Sequence, residues 1–174
     1  PGHPTMICTD LSLQMLSRAS VSIPRIVCDA THIPVKENWA DLVLMCYDAL
    51  NYLSHEQVWQ AFREIRRILT PQGIFFFDVT TENNSRTWFD PYDEVIELSE
   101  GLLARNSWYE PSLCRQHNRF HLFLRDGDTG LYKRYEEHHI QYIYDREQIF
   151  AWLRDSGFAV AALMDSFSMQ AAHE

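Results

Sequence analysis

The sequence has no long hydrophobic run and few basic residues, and each shortage excludes a class of partner. None of its apolar segments approaches the roughly 20 consecutive residues that a transmembrane helix needs, so we expect no membrane partner. Its 15 Lys and Arg residues are outnumbered by 24 Asp and Glu residues, which gives a formal net charge of -9. Because a negative surface repels phosphate backbones, we also expect no nucleic-acid partner.

Paired cysteines are lacking as well. The four cysteines form no C-x-x-C motif and have no zinc-like spacing with histidine, so the sequence predicts neither a metal site nor a disulfide. Three of them lie within or at the ends of apolar runs, as buried, reduced thiols do. Such thiols are typical of a cytoplasmic protein, and this is the location that we expect. The cysteines are Cys8, Cys28, Cys46 and Cys114.

Four short apolar runs in the first half predict β-strands, and helical patterns separate them. Strands that alternate with helices form parallel βαβ units, so the sequence predicts an α/β fold with a doubly wound, mostly parallel sheet. The third run is continuous, which is typical of a strand covered on both faces. The four runs lie at residues 6–9, 25–28, 42–47 and 74–77.

The clearest helix signal follows Ser54, which forms an S-x-x-Q capping box with Gln57. Apolar residues then recur at spacings of four, three and four, which places them on one face of a helix. A Pro/Gly turn at residues 70–73 is expected to end this helix. A shorter helix is expected after Ser12, a good N-cap residue. The apolar face of the longer helix comprises Val58, Phe62, Ile65 and Leu69.

From about residue 83 the pattern changes to segments rich in aromatic and charged residues. Residues 118–124 and 131–136 flank a loop with two glycines, Gly127 and Gly130, and predict a β-hairpin. We interpret this region as an antiparallel β insert.

The chain then returns to a helical pattern. Asp145 is expected to cap a helix that stops at Gly157. Residues 158–163 predict a last strand. The predicted organisation is an α/β part at residues 1–82, the insert at residues 83–144, and a helix and strand that return to the sheet at residues 145–174.

Acidic residues follow three of the predicted strands. Asp10, Asp29 and Asp78 each end an apolar run, and the carboxyl ends of parallel strands are where ligands bind in a doubly wound sheet. A carboxylate at this edge can accept two hydrogen bonds from the 2′- and 3′-hydroxyls of a ribose. The alternative for any one aspartate is a helix cap or a turn. Three such acids together favour a nucleoside site.

Several segments, taken in their order along the chain, resemble motifs of the class I S-adenosylmethionine-dependent methyltransferases, of the type that acts on small molecules. The resemblance covers residues 6–79 densely and residues 144–164 more loosely. It implies the Rossmann-like fold of that family and S-adenosyl-L-methionine as the cofactor. The matching segments are Ile7-Cys8-Thr9-Asp10-Leu11-Ser12, Cys28-Asp29-Ala30-Thr31-His32-Ile33-Pro34, Ala40-Asp41-Leu42-Val43 and Arg67-Ile68-Leu69-Thr70-Pro71-Gln72-Gly73.

The resemblance also implies roles for particular residues. Asp10 would bind the ribose hydroxyls, and Asp29 would accept a hydrogen bond from the adenine amino group. The Ala30 N–H would donate to the adenine ring. For Met15 the alternative is a core methionine of the first helix. The two apolar residues that would pack on adenine are Leu11 and Met15, and the two residues that would face the methionine portion are Cys46 and Tyr47.

Methyl transfer requires alignment of donor and acceptor above all, and a general base when the acceptor carries a proton. The catalytic candidates are Tyr47 and Asn51, at and just after the end of the third apolar run, and His139 in the insert. In a strand His139 and Gln141 share one face, and the resemblance places that face over the acceptor pocket. The alternative is that His138 and His139 are surface residues of an edge strand.

The glycine-rich strand and loop that open this family are not found, because only Gly2 precedes Gly73. The resemblance therefore implies a fold that is incomplete at its N-terminal end. We expect the chain to be part of a longer protein, or a second copy or partner chain to complete the sheet. Without that loop, the chain should bind the cofactor weakly or not at all.

The sequence predicts a methyltransferase, or part of one, that acts on a small-molecule acceptor. Two alternatives remain at this stage. One is a non-catalytic methyltransferase-like scaffold, and the other is an NAD-dependent oxidoreductase, which also uses an acid after its second strand.

Overall fold

A computed structural model describes residues 5–20 and 22–165. The described chain divides into two compact units. The first unit comprises residues 5–45, apart from residue 21, together with residues 55–76 and 151–165. The second comprises residues 46–54 and 77–150. No helix in the described ranges is both long enough and apolar enough to span a membrane.

Eight strands and four α-helices follow one another along the described residues, with two 3-10 helices at Ala49–Tyr52 and Pro111–Leu113. The helices are α1 (Leu13–Arg18), α2 (His55–Ile68), α3 (Glu82–Trp88) and α4 (Arg146–Asp155). The strands are β1 (Cys8–Asp10), β2 (Arg25–Val27), β3 (Ala40–Met45), β4 (Leu69–Phe77), β5 (Tyr92–Leu98), β6 (Gly101–Glu110), β7 (Arg115–Arg125) and β8 (Tyr132–Tyr142).

The first unit contains two separate pairs of strands. β1 and β2 are parallel, with Cys8 opposite Arg25 and Asp10 opposite Val27. β3 pairs with β4, and α2 connects these two strands along the chain. Within the described residues no strand joins the two pairs. The predicted α/β fold, with parallel strands and an antiparallel part, is confirmed.

The core of the first unit is built on α2, as the spacing of its apolar residues predicts. Phe62 is fully buried and packs edge-to-face against Phe75, with ring centroids 5.6 Å apart. Phe158 closes the cluster at 5.7 Å from Phe75. Burial of one such side chain stabilises the fold by about 2–3 kcal/mol. The fully buried residues of the helix are Val58, Ala61, Phe62 and Ile65.

Two expectations for β3 and β4 are wrong. Leu42 and Leu44 are 54% and 61% exposed, so the continuous apolar run is packed on one face and not on both within the described residues. The expected turn at residues 70–73 is extended strand, because β4 begins directly at the end of α2. The Trp39 N–H donates to the Ile68 carbonyl at 2.8 Å, which brings the start of β3 against the helix end.

The C-terminal helix is confirmed, but the strand expected after it is absent. The Asp145 carboxylate accepts a hydrogen bond from the Gln148 N–H at 2.7 Å, as an N-cap does. Gly157 has a φ of +83° and ends the helix. Residues 158–163 form no strand. The Phe158 N–H donates back to the Leu153 carbonyl at 2.9 Å and caps the C-terminus of the helix. Residues 166–174 of the predicted C-terminal part lie outside the described residues.

The second unit is an antiparallel sheet in the order β5-β6-β7-β8. The predicted hairpin is confirmed and its strands are longer than expected, with Arg115 opposite Tyr142 and Arg125 opposite Tyr132. Directly opposed residues share a face. One face, called the front face below, therefore carries the odd-numbered residues of β6 and β8 and the even-numbered residues of β7.

Candidate functional site

Asp10 lies at the carboxyl end of β1, where a local hydrogen bond fixes its carboxylate. Its Oδ1 accepts a hydrogen bond from the Ser12 N–H at 2.7 Å. The Ser12 hydroxyl accepts in turn from the Met15 N–H at 3.3 Å and caps α1. Oδ2 of Asp10 has no hydrogen-bond partner among the described residues, so one carboxylate oxygen is available to a ligand.

Apolar side chains lie beside Asp10 in the chain. Leu11 is 72% exposed and Met15 is 63% exposed, whereas Leu16 is the buried residue of α1. The core position of this helix thus belongs to Leu16 and not to Met15. An exposed leucine and an exposed thioether next to a carboxylate offer the apolar surface on which a planar base can pack.

Asp29 lies at the same edge as Asp10. The two acids follow neighbouring parallel strands, and the Cys28 N–H donates to the Asp10 carbonyl at 3.1 Å. Oδ1 of Asp29 accepts from both the N–H and the hydroxyl of Thr31, each at 2.8 Å. These hydrogen bonds from Thr31 lower the pKa of Asp29 below its ordinary value of 3.8, so the group is a carboxylate at neutral pH.

The residues present at this edge fit an adenosine group. One oxygen of each carboxylate, in Asp10 and in Asp29, accepts a hydrogen bond from the protein. The second oxygen of each has no partner within the described residues, so it can accept from a ribose diol or from an amino group. Ala30 follows Asp29 directly, so its N–H belongs to the same turn. The arrangement can bind a nucleoside through two charge-assisted contacts and an apolar surface.

The loop after β3 begins the second unit and holds two consecutive residues in the left-handed region. Tyr47 has a φ of +63° and Asp48 a φ of +54°. This conformation costs a residue other than glycine about 1–2 kcal/mol, and such strain is often found at functional sites. Cys46 is exposed, and the Tyr47 side chain is 92% exposed. Gln141 donates to the Asp48 carboxylate at 3.4 Å and ties the loop to β8.

Asn51 is fully buried in the second unit, and both ends of its amide are engaged. Oδ1 accepts from the Thr80 N–H at 2.8 Å, and Nδ2 donates to the carbonyls of Thr80 and Tyr142 at 3.1 and 2.7 Å. The side chain therefore holds backbone segments together.

Asp78, the third acid that ends a strand, differs from the other two. Its Oδ1 is buried and has no hydrogen-bond partner in the part of the chain that the structure describes. Asp78 belongs to the second unit, whereas Asp10 and Asp29 belong to the first.

A pocket of about 310 Å³ lies on the front face of the antiparallel sheet. His139 is part of its lining, and Gln141 shares its face, as the alternation along the strand predicts. His138 lies on the opposite face, where its ring stacks on His117 with centroids 5.3 Å apart. The pocket is lined by Leu103, Phe120, Leu122, Tyr135, Glu137 and His139.

A row of hydrogen-bonded polar side chains crosses the front face. Asn118 accepts from Arg105 at 2.7 Å and from the Ser107 hydroxyl at 2.8 Å, and it donates to Gln141 at 3.3 Å. Ser107, Asn118 and Gln141 are all buried. The sequence-based prediction did not include Arg105, Ser107 or Asn118. No local sequence signal indicates them, because Asn118 meets Ser107 only through the register between β6 and β7.

Metal ligands do not converge in the described ranges, where no three His, Cys, Asp or Glu side chains could hold one ion. The four cysteines are all free thiols.

The fold and the sequence both match methyltransferases. Residues 2–77 match a family described as "Methyltransferase domain". The fold matches an S-adenosylmethionine-dependent methyltransferase from Clostridium acetobutylicum ATCC 824 with a TM-score of 0.82, over 98% of this chain and 71% of that chain, at 22% identity. Residues 2–77 of the chain belong to that methyltransferase family. This match disfavours the NAD-dependent oxidoreductase.

Two relatives carry the same family name. A protein of Geobacillus sp. (strain WCH70), assigned as a methyltransferase, is 31% identical over 137 residues, which are 77% of this chain and 54% of that protein. YqeM of Bacillus subtilis (strain 168), also assigned as a methyltransferase, is 26% identical over 91% of this chain and 66% of that protein. This chain thus spans 54% and 66% of the length of those relatives.

Among other solved structures with the same fold is the sugar N-methyltransferase KedS8 from Streptoalloteichus sp ATCC 53650. Its TM-score is 0.71 at 18% identity, over 87% of this chain and 62% of that chain. Another is CalS10, an amino pentose methyltransferase from Micromonospora echinaspora with S-adenosylmethionine bound. Its TM-score is 0.71 at 15% identity, over 95% of this chain and 70% of that chain.

Proposed function

We propose that this chain is part of an S-adenosylmethionine-dependent methyltransferase that transfers a methyl group to a small-molecule acceptor. The observation that carries the proposal is the pair Asp10 and Asp29. These carboxylates end neighbouring parallel strands, and each keeps one oxygen without a partner in the described chain. The two carboxylates can accept hydrogen bonds from the donors of an adenosine group, which are its ribose hydroxyls and its adenine amino group.

In this proposal the first unit binds the adenosine portion. Asp10 accepts from the ribose hydroxyls, and Asp29 accepts from the adenine amino group. The Ala30 N–H donates to the ring. Leu11 and Met15 pack against the base, and their exposure leaves the required surface open. Cys46 and Tyr47, which start the second unit, would contact the methionine portion.

The second unit would hold the acceptor. A pocket of about 310 Å³ suits a compact molecule, since small-molecule pockets begin at about 300 Å³. The similarity to KedS8 and CalS10, named as methyltransferases of a sugar and of an amino pentose, supports a small acceptor with an amine or hydroxyl group.

When bound, the cofactor supplies the methyl group and leaves with the electron pair of its broken carbon–sulfur bond. The protein aligns the acceptor with that carbon, which can provide much of the rate enhancement. His139 is the proposed base for the acceptor proton. Tyr47 is proposed to contact the reacting groups, and Asn51 to hold the loop that carries Tyr47.

Calorimetric titration of the protein with S-adenosylhomocysteine tests the cofactor part of the proposal. Weak but saturable binding is expected, and Asp10→Asn should weaken it further by at least about tenfold, because a charge-assisted hydrogen bond contributes about 1.5–3 kcal/mol. Asp155→Asn, a surface substitution in the same unit, should bind as the wild type does. Absence of heat at high protein concentration would support the alternative of a non-catalytic scaffold.

A further inference from the structure

Three side chains of the second unit form a continuous hydrogen-bonded chain. The Tyr52 hydroxyl lies 3.0 Å from Nδ1 of His139. Nε2 of His139 lies 3.2 Å from a carboxylate oxygen of Glu137. Glu137 and His139 are two positions apart on β8, so both project from its front face. The chain runs Tyr52–His139–Glu137.

A carboxylate can only accept hydrogen bonds, and this determines which atoms of the three side chains carry protons. Nε2 of His139 must carry the hydrogen that Glu137 accepts, so Nδ1 presents a lone pair and accepts from the Tyr52 hydroxyl. Burial, together with the charge of Asp48, raises the pKa of Tyr52 and outweighs the opposing effect of Arg105. Tyr52 thus keeps its proton at neutral pH and donates it.

The same histidine is held by aromatic rings. Its imidazole meets the Tyr52 ring edge-to-face with centroids 5.8 Å apart, and the Phe120 ring at 5.4 Å. Phe120 is in turn covered by the Arg105 guanidinium at 5.5 Å. These contacts orient His139 before any ligand binds, as a proton acceptor requires.

His139 and Glu137 form the polar corner of an otherwise mostly apolar pocket. The other lining residues are three apolar side chains and Tyr135. A ligand that fits here has a compact apolar body and places its polar group past this corner, at the Tyr52 hydroxyl, which lies 3.0 Å from Nδ1 of His139. The apolar lining residues are Leu103, Phe120 and Leu122.

We propose that Tyr52, His139 and Glu137 form a proton relay that deprotonates a hydroxyl or amine acceptor whose apolar body occupies this pocket. This inference rests on the proposed methyltransferase function. The acceptor atom gives its proton to the Tyr52 oxygen as the Tyr52 proton passes to Nδ1 of His139. The acceptor lone pair would then form the bond to the methyl carbon as the carbon–sulfur bond breaks and its electron pair stays on the sulfur. His139 becomes an imidazolium that Glu137 stabilises, and it later releases the proton to solvent.

In this relay Tyr52 and His139 are catalytic residues and Glu137 is a positioning residue. The charged groups that face the relay are Asp48 and Arg105, which act on Tyr52. Glu136 and His138 lie on the opposite face of β8 and are not part of it.

The probe 4-nitrophenol tests the relay without cofactor, because its phenolate absorbs visible light and its phenol does not. We expect saturable binding to the wild type. We also expect the apparent pKa of the bound probe to be about one unit lower than in Glu137→Gln and His139→Gln, a tenfold change in the ratio of phenolate to phenol. Tyr52→Phe should lose the shift as well, because a phenyl ring cannot pass a proton.

The matched control is Glu136→Gln, the same substitution one residue away on the opposite face, which should keep the wild-type shift. No binding of 4-nitrophenol to the wild type would overturn the proposal, and so would an unchanged shift in Glu137→Gln or Tyr52→Phe. Titration with S-adenosylhomocysteine reports on the proposed function separately. Cofactor binding without a probe shift would reject the relay alone.

Discussion

The side-chain amide of Asn51 forms a reciprocal pair of hydrogen bonds with the backbone of Thr80. Oδ1 accepts from the Thr80 N–H at 2.8 Å, and Nδ2 donates to the Thr80 carbonyl at 3.1 Å. Nδ2 also donates to the Tyr142 carbonyl at 2.7 Å. Asn51 thereby joins the loop after β3, the segment after β4 and the end of β8 within the second unit.

Asn51→Ala is expected to destabilise the protein by about 3 kcal/mol. The substitution leaves three backbone groups without partners in a buried place, and each unmade hydrogen bond of this kind costs about 1–3 kcal/mol. Chemical denaturation measures the change in the free energy of unfolding. Asn83→Ala, on the exposed face of α3, should change it by less than about 0.5 kcal/mol. Equal effects for the two variants would contradict the role assigned to Asn51.

The elements that the sequence predicted well are those with local signals. The caps of α1 and α4, the apolar face of α2 and the β7–β8 hairpin each depend on residues a few positions apart. The turn expected at residues 70–73 is wrong because this segment is part of β4, which pairs with β3. The strand expected at residues 158–163 is wrong because these residues pair with no strand in the described part of the chain. Both errors concern pairing between strands, which a local pattern does not determine.

The residues of the candidate site also divide into those with a local sequence signal and those without one. Asp10 and Asp29 could be predicted as candidates because each lies at or just after the carboxyl end of a strand and belongs to a motif. Arg105 and Asn118 could not be predicted, because their contact depends on the register between β6 and β7, which places Asn118 opposite Ser107. The role of Asn51 was equally hidden, since its partner Thr80 is 29 residues away.

Gly73→Ala is expected to destabilise the first unit by about 1–3 kcal/mol. A Cβ at Gly73 would lie 2.8 Å from Cδ2 of Leu69 and 3.1 Å from the Ala40 carbonyl oxygen. Leu69 is fully buried and cannot move aside without a change in the core. Thermal and chemical denaturation measure the loss.

Gly127→Ala is the control for this prediction. A Cβ at Gly127 would meet nothing within 4 Å. Its stability should equal that of the wild type or exceed it slightly, because alanine restricts the unfolded chain. A Gly73→Ala variant as stable as Gly127→Ala would show that β3 and β4 do not approach each other closely at Gly73.

Met15→Ala should weaken binding of S-adenosylhomocysteine about 5- to 30-fold. If the exposed thioether packs on adenine, its removal loses about 1–2 kcal/mol of apolar burial. Leu13→Ala is the matched control, because Leu13 is similarly exposed on α1 and has no proposed contact. Calorimetry compares the two affinities. A larger loss in Leu13→Ala than in Met15→Ala would place the base elsewhere on the helix.

The stability contribution of the Asp29 charge should depend on pH in the acid range. Its pKa is lowered in the folded protein by the two hydrogen bonds from Thr31, so the folded state binds the proton less readily than the unfolded state. The contribution is fully present above the ordinary value of 3.8 and is lost as pH falls from there through the lower folded pKa.

Asp29→Asn keeps an acceptor for Thr31 but has no charge to titrate. The difference in the free energy of unfolding between wild type and Asp29→Asn should therefore be constant from pH 7 to about 5 and shift against the wild type below about 4. A difference that stays flat down to pH 2 would mean that Thr31 does not hold the Asp29 carboxylate in solution.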